Sequence, residues 1–163
     1  MGININKKIA VIGGSGFLGN SLLKLLLNEK AEIILFTRKK NYQKTLNKIF
    51  PDRDIKCIYW NIDNLKIIED NTKNVNCLIN LCGILFENKN GDFFRVHTDV
   101  PEFLGKISSK NKIKTLIHVS ALGVSVTSES KYSRSKAEGE NKLLEHFPNG
   151  KILRPSLLYG KGD

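Results

Sequence analysis

The run Ile9-Ala10-Val11-Ile12-Gly13-Gly14-Ser15-Gly16-Phe17-Leu18-Gly19 decides the fold. Four apolar residues read as a buried strand, and they pass without a spacer into glycines. Beyond these, Leu18, Leu22, Leu25 and Leu26 fall at i, i+4, i+7 and i+8, which predicts a helix with a leucine face laid on a sheet. Glycine permits the tight turn, lets backbone N–H groups approach a pyrophosphate, and lets the helix pack closely on the strand. The helix N-terminus then faces the phosphates. A turn that needs glycine for geometry alone is the competing reading, but a strand before and a helix after favour a dinucleotide. Two spacings fit: Gly14, Gly16 and Gly19 as G-x-G-x-x-G, or Gly13, Gly16 and Gly19 as G-x-x-G-x-x-G.

Working outward, short apolar runs recur at Lys8 to Ile12, Glu32 to Thr37, Ile55 to Trp60, Cys77 to Leu81, Thr115 to Ser120 and Lys151 to Leu153. They read as six strands of a parallel sheet. Thr98 or Asp99, followed by Val100-Pro101-Glu102, offers a cap and a first-turn proline for a helix running toward Ser109, with a short helical turn near Phe94. A further helix spans Lys131 to Phe147 and is stopped by Pro148-Asn149-Gly150. Alternating strands and helices predict an α/β Rossmann-type doubly wound sheet with helices on both faces, filling residues 1–163 as one domain. The chain stops at Asp163 with no element after the last strand, which reads as a C-terminal truncation.

Composition narrows the partners. With 163 residues, 40% hydrophobic and 26% charged, the sequence suits one globular domain. The net charge of +10 would suit nucleic acid, but the lysines are scattered, so no nucleic-acid partner is expected. Cys57, Cys77 and Cys82 lie in apolar runs without a C-x-x-C pair, and read as buried thiols in a reducing compartment, with no metal site. Met1-Gly2-Ile3-Asn4 leads straight toward a strand and no run is long enough to span a membrane, so the expected location is cytoplasmic, with peripheral attachment open.

Two further features bear on chemistry. The second strand ends Phe36-Thr37-Arg38-Lys39-Lys40, where an NAD site usually places Asp or Glu. A guanidinium suits a 2′-phosphate, so Arg38 favours NADP(H) over NAD(H). Tyr132 and Lys136 lie one helical turn apart and share a face. An ammonium near a tyrosine favours the phenolate, so the pair could move a proton during hydride transfer.

Together GGSGFLG at 13–19, NLCG at 80–83, HVSALG at 118–123, YSRSK at 132–136 and LRPSLLYG at 153–160 resemble the short-chain dehydrogenase/reductase superfamily, in its extended or atypical branch. Within it, SKYSRSKAEGE at 130–140, FPNGKILRPSLLYGKGD at 147–163 and Val100-Pro101 are most similar to the nucleotide-binding accessory subunits of respiratory complex I (NADH-ubiquinone oxidoreductase) and their bacterial, epimerase/dehydratase-like relatives. The resemblance implies a tightly held NADPH. By position, Gly13, Ser15, Gly16, Phe17 and Leu18 would line the pyrophosphate, with Gly14 and Gly19 completing the loop. Asn61 and Ile62 would sit by the adenine, and Leu81, Cys82 and Gly83 beneath the ribose. Ser120, Tyr132 and Lys136 would approach the nicotinamide, and Pro155, Ser156 and Leu158 would complete its pocket.

One departure stands out. Active relatives place Ser or Thr two residues after the position of Ser120, and here that residue is Leu122. The expected function is therefore an NAD(P)(H)-binding accessory or assembly subunit of complex I, peripheral on the cytoplasmic face of the inner membrane, with a structural or redox-sensing cofactor. The alternatives are an NADP-dependent oxidoreductase, epimerase or dehydratase using Tyr132, Lys136 and Ser120, and a redox-sensing regulator.

Overall fold

Along β1 (Lys7–Ile12), Ala10 and Ile12 face one side while Val11 faces the other, and β2 (Ala31–Thr37) alternates Ile34 and Phe36 against Ile33 and Leu35. Both faces are apolar because both are covered, the condition of a parallel sheet. The computed structural model describes residues 7–27, 29, 31–53 and 55–160, so Met1-Gly2-Ile3-Asn4 and Asp163 lie outside the described residues.

The remaining strands are β3 (Ile55–Tyr59), β4 (Cys77–Asn80), β5 (Thr115–Val119) and β6 (Lys151–Leu153), all parallel in the order β3-β2-β1-β4-β5-β6. Each lies within a residue of its predicted run. The order reverses between β1 and β4, which opens the crevice where ligands lie in such sheets.

Helices α1 (Phe17–Leu26) and α2 (Tyr42–Ile49) cover one face through Leu23, Tyr42 and Leu46. Helices α3 (Lys66–Asn71), α5 (Val100–Lys110) and α6 (Lys131–His146) cover the other through Ile68, Leu104, Ile107 and Leu143. The predicted leucine face of α1 is rotated in the structure. Gly19 and Leu23 form its buried stripe, Leu22 and Leu26 flank it, and Leu25 is 68% exposed. Closeness decides this, because a Cβ on Gly19 would overlap the Gly14 backbone.

The helix expected to start at Thr98 or Asp99 begins earlier. A short α4 (Asp92–Phe94) passes into a π-helical turn, Arg95–Asp99, that continues into α5, and Asp99 is in the helical region without capping. Thr98 Oγ1 donates instead to the Ser135 carbonyl on α6 at 2.8 Å. Pro101 has no N–H to return to the His97 carbonyl four residues back. That carbonyl faces Gly139 of α6 so closely that no Cβ fits between them. The proline, the widened turn and the glycine together bring α6 against the turn, where a Cα–H···O contact is favourable. Helix α6 begins as expected, with the Ser130 hydroxyl capping the Ser133 N–H at 3.4 Å.

Of the cysteines read as buried, only Cys82 is fully so. Cys57 and Cys77 are partly exposed, since β3 is an edge strand and Cys77 opens β4. No helix among the described residues is long and apolar enough to cross a membrane.

Candidate functional site

Every strand ends on the same edge of the sheet, and two cavities lie along it. The first, of about 470 Å³, is walled by Gly13, Ser15 and Gly16 after β1, Arg38 and Lys39 after β2, Trp60 after β3, and Leu81, Cys82 and Gly83 after β4. The second, of about 610 Å³, is walled by Phe17, Leu85, the stretch Ser120-Ala121-Leu122, Tyr132 and the stretch Pro155-Ser156-Leu157-Leu158. Leu18 borders a neighbouring apolar recess that it shares with Pro155 and Leu158.

The glycine loop resolves the two spacings. Gly13 has a φ of +79°, a region that suits glycine, and it borders the cavity. Gly14 points away, and a Cβ there would overlap Leu35. Gly13, Ser15 and Gly16 therefore border the cavity, while Gly14 and Gly19 allow the close packing of the loop, β2 and α1. Ser15 and Thr37 share a buried hydroxyl bond of 2.6 Å, and Lys39 Nζ donates to the Ser15 carbonyl at 3.0 Å. These bonds tie the end of β2 to the loop and set two cations, Arg38 and Lys39, at its mouth.

Asn61 and Ile62 border neither cavity. Asn61 Oδ1 accepts from the Asp63 N–H at 3.0 Å, closing a local turn, and Ile62 packs on the core. The residue that meets the cavity at this point is Trp60.

Near the second cavity, Lys136 is buried and its Nζ donates to the Val119 carbonyl at 3.2 Å. Burial holds its ammonium down to about 8, opposed by the carboxylate of Glu140 one turn on. Its Nζ stands 6.0 Å from the Tyr132 ring centre, over the face. Burial pushes the Tyr132 phenol up, so the lowering expected from a neighbouring ammonium does not prevail in this arrangement. Glu140 is itself buried and held by Arg154 through both carboxylate oxygens, at 2.5 to 3.2 Å.

A buried polar seam, not apparent from the sequence pattern, reaches the wall of the first cavity at Cys82 and that of the second at Tyr132. His97 Nε2 accepts from the Ile84 N–H at 3.0 Å, which leaves Nδ1–H to donate to Ser135 Oγ at 3.0 Å, and Ser135 Oγ donates to the Tyr132 carbonyl at 2.9 Å. The His97 ring stacks on Phe93 and meets Tyr132 edge-on, with ring centres 5.4 and 5.2 Å away. On β5, His118 Nδ1 accepts from Asn80 Nδ2 at 2.9 Å, while Asn80 Oδ1 accepts from the Cys82 N–H at 3.0 Å. Burial, with the Lys136 ammonium nearby, pushes both imidazoles down to about 3, so they are neutral. Burial pushes the Cys82 thiol up to about 12, and it is inert. The available signal was that two of the chain's three histidines fall among apolar residues.

The arrangement fits an elongated anionic ligand. Gly13 and Gly16 leave room for close backbone approach, and Arg38 and Lys39 supply charge. Two buried polar atoms beside the cavities, Trp60 Nε1 and Ser120 Oγ, have no partner among the described residues. Unpaired buried donors are costly, and a ligand that crosses the edge supplies acceptors.

Residues 9–163 match the NAD dependent epimerase/dehydratase family. The chain belongs to that family. It is 31% identical over 154 residues to NADH dehydrogenase [ubiquinone] 1 alpha subcomplex subunit 9, mitochondrial, of Mus musculus, a match covering 94% of this chain and 41% of that protein. It is 27% identical over 154 residues to the mitochondrial NADH-ubiquinone oxidoreductase 40 kDa subunit of Neurospora crassa, again covering 94% and 41%. The chain thus spans about two fifths of the length of these relatives. Among solved structures, UDP-glucuronic acid 4-epimerase from Bacillus cereus in complex with NAD superposes with a TM-score of 0.76 at 20% identity, covering 94% of this chain and 58% of that one. That likeness concerns the fold. The sequence motifs and the fold agree: this is the epimerase-like sheet of the NAD dependent epimerase/dehydratase family, and its relatives include mitochondrial NADH dehydrogenase [ubiquinone] and NADH-ubiquinone oxidoreductase subunits.

Proposed function

We propose that this domain holds NADP(H) along the C-terminal edge of the sheet, with the pyrophosphate over Gly13, Ser15, Gly16 and Phe17 and the 2′-phosphate at Arg38. It does so as a complex I accessory or assembly subunit on the cytoplasmic face of the inner membrane. The observation that carries the cofactor reading is that the first cavity is walled by Arg38 and Lys39, and among the described residues none that lines it is acidic. A 2′-hydroxyl would call for a carboxylate, whereas a phosphate is matched by two cations. The partner reading rests on the likeness to the mouse and Neurospora subunits.

A nicotinamide dinucleotide can carry a hydride, but the chain's residues favour holding it. Leu122 walls the second cavity, 68% exposed, and a leucine cannot hydrogen-bond a substrate. Lys136 is engaged with the Val119 carbonyl. Isothermal calorimetry tests the cofactor: NADPH should bind more tightly than NADH, and Arg38→Ala should weaken NADPH roughly tenfold while sparing NADH, as expected for loss of a charge-assisted bond. Equal affinities in the native chain would refute it. Co-purification with complex I subunits tests the partner, and a protein isolated free of them would count against it.

A second reading, an NADP-dependent reductase, epimerase or dehydratase, draws on Ser120 and Tyr132 sharing one cavity. It requires that Tyr132→Phe abolish turnover while cofactor binding stays intact.

A further inference from the structure

Trp60 follows β3, and its backbone N–H donates to the Thr37 carbonyl at 3.0 Å, which extends β3 alongside the end of β2. That bond places Trp60 next to Arg38. Trp60 is 3% exposed and belongs to the same core cluster as Phe36 and Ile68, while also bordering the first cavity with Arg38 and Lys39. Its Nε1 is buried and has no partner among the described residues.

An indole can only donate, and so can a guanidinium and an ammonium. Trp60, Arg38 and Lys39 therefore form a corner with three donors and no side-chain acceptor of their own. The Ser15 hydroxyl, on the same cavity wall, is already paired with Thr37. Lys39 Nζ spends one N–H on the Ser15 carbonyl at 3.0 Å, while Trp60 Nε1 has no partner among the described residues, and an indole donor calls for an acceptor oxygen.

We infer that Trp60 is a specificity-determining residue of the adenosine end of the site, donating its Nε1–H to a phosphate oxygen on the adenosine ribose beside Arg38 and Lys39. The inference rests on the dinucleotide reading above. Because Nε1 is covered, donation requires the indole to turn toward the cavity that it borders. Trp60 is the chain's single tryptophan, so its emission reports that turn directly.

The test uses 2′,5′-ADP, which carries the phosphorylated ribose and adenine without a nicotinamide to absorb the emitted light, and 5′-AMP, which lacks the 2′-phosphate. With the native chain, 2′,5′-ADP should shift or quench the emission and 5′-AMP should do so less. By calorimetry, Trp60→Phe, which keeps a ring and removes the donor, should bind 2′,5′-ADP about tenfold more weakly and 5′-AMP within roughly twofold of the native chain, the loss expected of a hydrogen bond to a charged group. Binding of 2′,5′-ADP to the native chain with unchanged emission would overturn the inference whether or not the variant folds. So would a Trp60→Phe chain that binds both nucleotides like the native one, and either result would leave the dinucleotide reading standing. A native chain that binds neither NADPH nor 2′,5′-ADP would overturn both.

Discussion

Acidification below pH 6.5 should destabilise this domain through His97 and His118. Both rings are held down to about 3 in the fold, against 6.5 when free. Between those values the unfolded chain binds two protons that the folded chain refuses. The stability supplied by neutral imidazoles is therefore complete above pH 6.5 and is lost as pH falls toward 3. At about 1.36 kcal/mol per proton per pH unit, the pair gives a limiting slope on the order of 3 kcal/mol per unit, and two units consume much of the roughly 5–15 kcal/mol that holds a typical domain. Glu69 and Glu102 are also held below their usual range but act near and below 4.5, and burial raises Asp99 from 3.8, a shift of opposite sign, so a loss of stability as pH falls from 6.5 to 5 reports the histidines. Urea unfolding at several pH values measures the slope, and His118→Gln should reduce it by about half. Stability independent of pH across that window, or a slope that His97 and His118 variants both leave unchanged, would refute the reasoning.

Gly19→Ala would drive a methyl into the Gly14 backbone and should lower stability by about 1–3 kcal/mol, read as a lower Tm, while removing the thermal stabilisation given by NADPH. Gly139→Ala should separate α6 from the His97 turn at a similar cost, about 1–3 kcal/mol, and should shift the NMR resonances of Tyr132 and Ser135. Glu140→Gln removes the carboxylate that favours the charged form of Lys136, so the Lys136 pKa, followed by NMR of its side chain, should fall below about 8. Because Arg154 is half exposed, the loss of stability in that variant should stay near 1–2 kcal/mol rather than the value for a fully buried pair.

The inner strands β1, β2, β4 and β5 were legible because both their faces are largely covered, so they read as short apolar runs whatever their register, while the edge strands β3 and β6 keep Tyr59 and Leu153 partly exposed. The glycine loop was legible as a ligand site, but which glycine meets the cavity was not. That depends on Leu35 of the neighbouring strand lying against Gly14, a contact that spacing does not encode. Helices α2 and α3 went unread because they are short and polar, each burying one or two residues, with Tyr42 and Leu46 in one and Ile68 in the other. Pro101 was read correctly as a proline near a helix start, yet tertiary contact with Gly139 and Ser135 let the helical path continue through it. Trp60 reads from the sequence as the last residue of a strand, and only the three-dimensional structure shows it at the cavity wall.

The reversal of strand order has a consequence for how the domain opens. Strands β1 to β3 and β4 to β6 are two consecutive stretches of chain, joined in the sheet by one ladder that pairs Ile9 to Ile12 with Cys77 to Asn80. Left alone, the two stretches could exchange their amide hydrogens at different rates, each opening as its own unit. A molecule gripped by Gly13 and Arg38 on one side and by Cys82 and Ser120 on the other spans that joint. Neither stretch could then open without releasing it, and their exchange rates would converge on a single value set by the occupancy of the crevice.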